Sequence, residues 1–295
     1  MKVYLDAVGI RTGGGAAILE ELLYWFPECR SSWKWKVFVL PESERQFKNR
    51  SSCSRLEIKQ VIGASGSLGR VWWLAHELPV IIRKERPSAL FSVANLAPLF
   101  QFCPTLLLCH QFTPFSRSRV GSMDRLASFR SLCLKYSMLL SARRSSMLTV
   151  QTMHMREAFV STKWITGDKV AVIPSGYRTV EVLQRPSDDV LARLQGVSRP
   201  WLVYVAHPGG HKNHLRLINA FALVRKTVPT ASLLLTVDVK HSVSSLYGRL
   251  VKEIVAQTQA AGVCDAVYFL GNLPSSATCA VLSASTLHVF PSLSE

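Results

Sequence analysis

Three segments of this chain gather glycine, histidine and lysine in ways that suit phosphate or sugar chemistry. The first is Gly13, Gly14 and Gly15, which follow a short apolar stretch and precede AAILEELLYWF. Glycine lets a backbone approach a ligand closely, and the start of a following helix offers N–H donors and a partial positive charge. The run is not Gly-x-Gly-x-x-Gly, and the residues alone equally describe a tight turn from strand to helix. The second is His110, directly after TLLLC. An imidazole there faces a ligand crevice or is a hydrogen-bonded structural residue. The third is Ala206–His214, AHPGGHKNH, in which Lys212 follows two glycines and precedes a helical stretch. An ammonium beside a helix start suits a diphosphate; a solvated loop lysine is the plain alternative. No Gly-x-x-x-x-Gly-Lys-Ser/Thr occurs, so this is not a P-loop.

The elements that must hold these segments read as alternating strands and helices. KVYLDAV, WKVFVL, ALFSV, TLLLC, MLTVQ and VAVIP read as strands of the first half. Ile18, Leu22 and Trp25 recur at helical spacing, and Val71–Glu85 and Met123–Ala142 read as further helices. Gly63–Gly69 reads as a flexible loop. In the second half WLVYVA, SLLLTV, AVYFLG and TLHVF read as strands, separated by helices over HLRLINAFALVRK, Val243–Ala261 and Pro274–Leu282. Continuous apolar strands, rather than strict alternation, indicate parallel sheets covered on both faces. The expected fold is α/β, two Rossmann-like doubly wound domains, residues 1–176 and residues 177–295. No short internal repeat is visible.

Composition narrows the class. At 295 residues and 48% hydrophobic, the chain has length for about two domains and enough apolar material for packed cores. Lys and Arg number 35 against 19 Asp and Glu, a net charge of +16. So basic a balance suits a polyanionic partner: nucleic acid, an anionic membrane face or phosphorylated ligands. No helix-turn-helix, zinc-finger or RNP-like signature appears, so no nucleic-acid partner is expected. The seven cysteines are odd in number, without Cys-x-x-Cys. They read as reduced thiols of a cytoplasmic protein rather than a disulfide frame or zinc site. The amino terminus has no signal-peptide core, and no apolar run approaches membrane-spanning length.

Three stretches carry a family resemblance. YVAHPGGHKNHLRLINAF resembles the strand–loop–helix of retaining GT-B glycosyltransferases of family 4, in which Lys-Asn opens the helix. VAVIPSGY (Val170–Tyr177) is similar to that family's interdomain segment. VYFLGNLPSSATCAVLSASTLHVFPSLSE is similar to its Phe-Leu-Gly … Pro-Ser-x-x-Glu stretch. The likeness is strong over Val170–Glu295 and weak before it. It implies a nucleotide-diphosphate sugar bound mainly by the second domain, an acceptor bound mainly by the first, and retention at the transferred hexose, mannose being one such sugar. It implies no metal and no cofactor. Lys212 would neutralise the departing diphosphate and the loop at Gly14 and Gly15 would close over it. His110 would act at the reaction centre, and Glu295 would hold donor sugar hydroxyls.

The sequence departs from the pattern at several points. The arginine usual before the lysine is absent; His207 and Pro208 stand there, so His207 would add charge only when protonated. Gln111 replaces the Asp that often follows the cleft histidine. The family's second Glu falls beyond Glu295, and the second domain reads as incomplete. The expected activity is sugar transfer to a polysaccharide or lipid-linked glycan, at the cytoplasmic face of an anionic membrane surface; Arg117, Arg119, Arg125, Arg130, Arg143 and Arg144 are candidates for that face. The alternative is an inactive, truncated remnant of such an enzyme. An epimerase of the same fold is the enzymatic rival.

Overall fold

A computed structural model of the chain describes residues 1–10, 14–29, 32–48, 54–115, 125–176, 188–239 and 246–293. Gly13, Cys53, Arg117, Arg119, Tyr177 and Glu295 lie outside the described residues, as do the side chains of Cys29 and Arg125. The described chain divides into two compact units, one up to Gly176 and one from Asp188 onward.

The first unit holds a seven-stranded parallel sheet in the order β3-β2-β1-β4-β5-β6-β7. The strands are β1 (Lys2–Asp6), β2 (Lys34–Val39), β3 (Leu56–Gln60), β4 (Ala89–Ser92), β5 (Thr105–Cys109), β6 (Met147–Val150) and β7 (Val170–Val172). Helices α1 (Gly14–Cys29) and α2 (Pro41–Lys48) precede β2 and β3. Helices α3 (Gly66–Trp72) and α4 (Leu78–Glu85) precede β4, and α5 (Arg125–Arg144) and α6 (Met153–Val160) precede β6 and β7. Successive residues of a strand point to opposite faces. Thus Leu5, Val37 and Val39 meet α1 on one face, whereas Tyr4, Phe38 and Leu90 meet Trp73, Leu74 and α4 on the other. Leu107, Cys109, Leu148 and Val150 share that second face with α5 and α6, because Ser92 pairs with Leu107 in register.

The second unit has four parallel strands in the order β10-β9-β8-β11. They are β8 (Trp201–Tyr204), β9 (Ser232–Leu235), β10 (Val267–Phe269) and β11 (Leu287–His288), with helices α7 (Asp188–Ala192), α8 (His214–Thr227), α9 (Leu246–Ala260) and α10 (Ser275–Ala284) around them. β9 is buried at all four positions. Leu233 and Leu235 pack against α8 and α9, and Leu234 packs toward α7 and α10. The expected pair of doubly wound parallel sheets is therefore what the chain forms.

Three local expectations need revision. Gly63–Gly69 is not all loop: α3 begins at Gly66, and the turn before it rests so close that a Cβ on Gly69 would lie 2.2 Å from the Gly63 carbonyl oxygen. The helix expected over Val71–Glu85 is continuous but contains a π-helical turn at Trp73–Glu77. Pro79 lacks an N–H and its ring crowds the carbonyl one turn earlier, which a widened turn relieves. Third, α2, β3, α6 and α7 join the expected elements. Among the described cysteines, Cys103, Cys109, Cys133, Cys264 and Cys279 are free thiols.

Candidate functional site

In an open α/β sheet, the crevice forms at the carboxyl ends of the strands where successive connections leave in opposite directions. In the first unit that point lies between β1 and β4. β1 ends on Asp6, which is fully buried. Arg70 of α3 donates to it through both terminal nitrogens, at 3.1 and 3.0 Å, the Trp73 indole donates at 2.9 Å, and the Val8 backbone N–H at 3.3 Å. Burying this carboxylate is tolerable because its donors replace water. Gly9 follows in a space too tight for a side chain: a Cβ there would lie 2.8 Å from the Ala94 Cβ.

β4 leads to Asn95, which is left-handed at φ 66°. Asparagine tolerates that region because its side chain bonds nearby backbone. The Asn95 Oδ1 accepts from the N–H groups of both His110 and Gln111, each at 2.9 Å. The amide is thereby oriented, with Nδ2 toward the His110 Nε2 at 3.3 Å. Nδ2 can only donate, so Nε2 must accept, and the neutral ring carries its proton on Nδ1. Burial lowers the pKa of His110, whose buried Nδ1 has no hydrogen bond of normal geometry. The start of α1 packs on the same imidazole, since a Cβ on Gly15 would lie 3.3 Å from Nε2, while Gly14 faces open space. The glycine loop and His110 therefore come together at one sheet edge. Asp6, Arg70 and Asn95 join them there, and the sequence reading did not single these out. A polar residue closing an apolar strand is the signal available for Asp6 and Asn95; nothing local points to Arg70.

In the second unit the corresponding point lies between β8 and β11. Tyr204 closes β8 with its hydroxyl donating to the Lys212 carbonyl oxygen at 2.9 Å and 3.0 Å from the Ser292 Oγ beyond β11. Asn213, left-handed at φ 60°, turns its side chain away from capping α8 and donates to the Pro291 carbonyl oxygen at 3.1 Å. The Leu293 N–H donates to the His211 carbonyl oxygen at 2.8 Å. The loop before α8 is thus stitched to the chain after β11. Lys212 ends a 3-10 turn, Gly210–Lys212, two residues before α8, with Nζ 5.8 Å from the centre of the Phe290 ring. His207 is exposed, and partial burial lowers its pKa. His214 opens α8 buried against Tyr204, ring centroids 4.9 Å apart, with neither ring nitrogen hydrogen-bonded. Burial first, then Lys212, His207 and His211, push its pKa from the ordinary 6.5 to about 4. The loop Ala206–His214 holds three imidazoles, one ammonium and no carboxylate; Asp238 follows β9 at the same edge. Among the described residues, no group of three or more His, Cys, Asp or Glu could hold a metal ion.

Chemically, the second edge offers a cation on a backbone held beside a helix start, an arrangement suited to a polyanion. The first offers oriented, neutral polar groups, suited to hydroxyls.

No protein-family model matches the chain, and no curated protein sequence matches it. Solved structures share its fold at low identity. The chain resembles Anabaena HepE in complex with UDP and glucose at a TM-score of 0.66 and 15% identity, covering 99% of this chain and 74% of that one. It resembles sucrose-phosphate synthase from Thermosynechococcus elongatus at a TM-score of 0.70 and 14% identity, covering 99% and 76%. It also resembles UDP-GlcNAc 2-epimerase from Neisseria meningitidis bound to UDP-GlcNAc, at 0.58 and 13%, covering 98% and 76%. The two parallel α/β units of this chain thus have the Rossmann-like fold that solved glycosyltransferases and UDP-sugar epimerases share.

Proposed function

We propose that this chain is a glycosyltransferase that takes a sugar from a nucleotide-diphosphate donor. The observation that carries the reading is the β8/β11 edge of the second unit. There the backbone at Lys212 is held before α8 by the Tyr204–Ser292 and Asn213–Pro291 links, in a loop rich in imidazole. A departing diphosphate needs such preorganised positive charge when no metal supplies it. The likeness to a protein solved with UDP and glucose supports the same reading.

In this reading Lys212 neutralises the diphosphate, and His207 adds charge only on protonation. Gly14 and Gly15 bring the α1 start toward the donor phosphates. His110, its Nε2 taken by Asn95, stands beside the sugar at the reaction centre rather than abstracting a proton. Glu295 holds donor sugar hydroxyls. The donor sugar is a hexose such as mannose, transferred with retention by a family 4 enzyme. The acceptor is a polysaccharide or a lipid-linked glycan at the cytoplasmic face of an anionic membrane. Neither a metal nor a cofactor takes part.

A second reading, UDP-sugar epimerase, has the likeness to the Neisseria enzyme in its favour. Epimerisation removes and returns a proton on carbon and so needs a titrating base. With its Nε2 lone pair engaged by Asn95, His110 is not free to take that proton, which favours transfer instead.

The test is calorimetric titration of the chain with UDP, GDP and ADP, followed by assays with the matching nucleotide sugars, with and without acceptor glycans. Binding of one diphosphate, weakened roughly tenfold or more in Lys212→Ala, is expected, because a charged hydrogen bond contributes about 1.5–3 kcal/mol. Unchanged binding in that variant would remove the donor assignment. Epimer formation without acceptor would favour the second reading, and binding without any turnover would favour an inactive remnant.

A further inference from the structure

α5 is a twenty-residue helix with an unusual outer side. Its inner side buries Met138, Leu139 and Ala142 against β5 and β6. A helix that otherwise met only water would be polar on the opposite side. Instead Phe129 and Tyr136 stand there, 63% and 49% exposed, and Leu132, on the flank in line with Leu139, is 50% exposed. Spaced by three and four residues, they fall within an arc of about 60°. Trp164, on the connection after α6 and 40% exposed, closes on Tyr136 with ring centroids 5.9 Å apart. Scattered apolar residues are ordinary on a surface, but a contiguous group of this size marks an interaction site.

Charge identifies the partner. Arg143 and Arg144 end α5 and are exposed, Arg130 lies beside Phe129, and exposed Lys163 precedes Trp164. Residues 125–169 hold eight Lys and Arg against two Asp and Glu. A protein partner that covered this group would have to desolvate or pair the cations beside it, Arg130, Arg143, Arg144 and Lys163. A bilayer surface accepts both features at once. Aromatic and aliphatic tips enter the headgroup boundary while guanidinium and ammonium groups stay among anionic lipids. No helix among the described residues is long and apolar enough to cross a membrane.

We propose that the outer side of α5, with Trp164, docks on the anionic surface of a lipid bilayer. As the home of a lipid-linked acceptor the surface rests on the transferase reading, but lipid binding itself is measured separately from sugar transfer.

The experiment is co-sedimentation of the full chain with vesicles of phosphatidylcholine alone and of phosphatidylcholine mixed with phosphatidylglycerol. The chain is expected to pellet with the mixed vesicles, to remain in solution with the neutral ones, and to be released in part by raised salt. The triple variant Phe129→Ser, Leu132→Ser, Tyr136→Ser is expected to lose binding by roughly tenfold or more, with unchanged circular dichroism. The double variant Arg143→Gln, Arg144→Gln leaves the apolar group intact and is expected to lose binding on the order of tenfold. Equal partition to both vesicle types, or full binding by both variants, would overturn the assignment. So would self-association of the native chain that the triple variant abolishes, because a second copy would then be the occupant. A chain that binds a nucleoside diphosphate but no vesicles sinks only the docking surface; one that binds vesicles but no nucleotide sinks only the transferase reading.

Discussion

The carboxyl edges of the two sheets occupy equivalent topological positions and solve opposite electrostatic problems. At the first, polar groups are consumed internally: Asp6 is saturated by Arg70, Trp73 and Val8, and Asn95 spends its carbonyl on two backbone N–H groups. What faces outward is neutral and oriented. At the second, the loop before α8 carries an ammonium and three imidazoles, one of them buried without a hydrogen bond. The same Rossmann-like frame thus carries a neutral, internally bonded edge in one unit and a basic, imidazole-rich loop in the other. The difference lies at the strand ends and in the loops that follow them, which is why one fold hosts many chemistries.

That contrast can be broken most severely at Asp6. Asp6→Ala leaves the Arg70 side chain, 11% exposed, without its counter-ion and should cost about 3–5 kcal/mol in urea unfolding. Replacing Arg70 by Leu in the same chain should recover much of that loss; no recovery would show that the pair is not the source.

On the other edge, His214 should make stability depend on acid. The folded imidazole takes its proton only near pH 4, whereas the unfolded one does so near 6.5. The unfolded state therefore binds more protons in this window, and stability is complete above about pH 6.5 and falls as the pH drops toward 4. The full difference is on the order of 3 kcal/mol. Thermal unfolding of the native chain and of His214→Leu across that range should show the slope flattened in the variant; identical slopes would mean His214 is not responsible.

A finer probe concerns the oriented amide. Nitrogen NMR of the His110 ring should report a proton on Nδ1 in the native chain. Asn95→Asp puts an acceptor where Nδ2 stood and should move the proton to Nε2, with a stability change of about 1–2 kcal/mol. A native ring protonated on Nε2 would contradict the geometry directly.

Gly15→Ala is expected to have the smallest effect. The new methyl must press on the His110 ring, while alanine gains about 1 kcal/mol of helix propensity over glycine, so net stability should move by less than about 1 kcal/mol. The His110 ring resonances should shift nonetheless; unshifted resonances would separate α1 from that imidazole.

The sequence made the fold legible where apolar runs were continuous, as in TLLLC and SLLLTV, because burial on both faces leaves no polar alternation. It concealed β3, whose LEIKQ is buried only at Leu56 and lies at the sheet edge, where Glu57 and Lys59 can face water. It concealed the π-helical turn as well, since Pro79 allows either a stop or a widened helix and only packing chooses.

The site divides in the same way. His110, Lys212 and the glycines beside α1 could be named from sequence, because strand ends and helix starts are local features. What the sequence determined by itself was the alternation of elements, the parallel sheets and the basic, imidazole-rich loop before α8. Tertiary structure alone decided that Arg70 neutralises Asp6, that Asn95 fixes the tautomer of His110 and that Tyr204 and Asn213 lock the Lys212 loop to the chain beyond β11. Those partners lie from fifteen to eighty-eight residues apart in sequence. Local periodicity carries no information about such pairings, and they exist because the crossover order of the strands brings their carboxyl ends side by side.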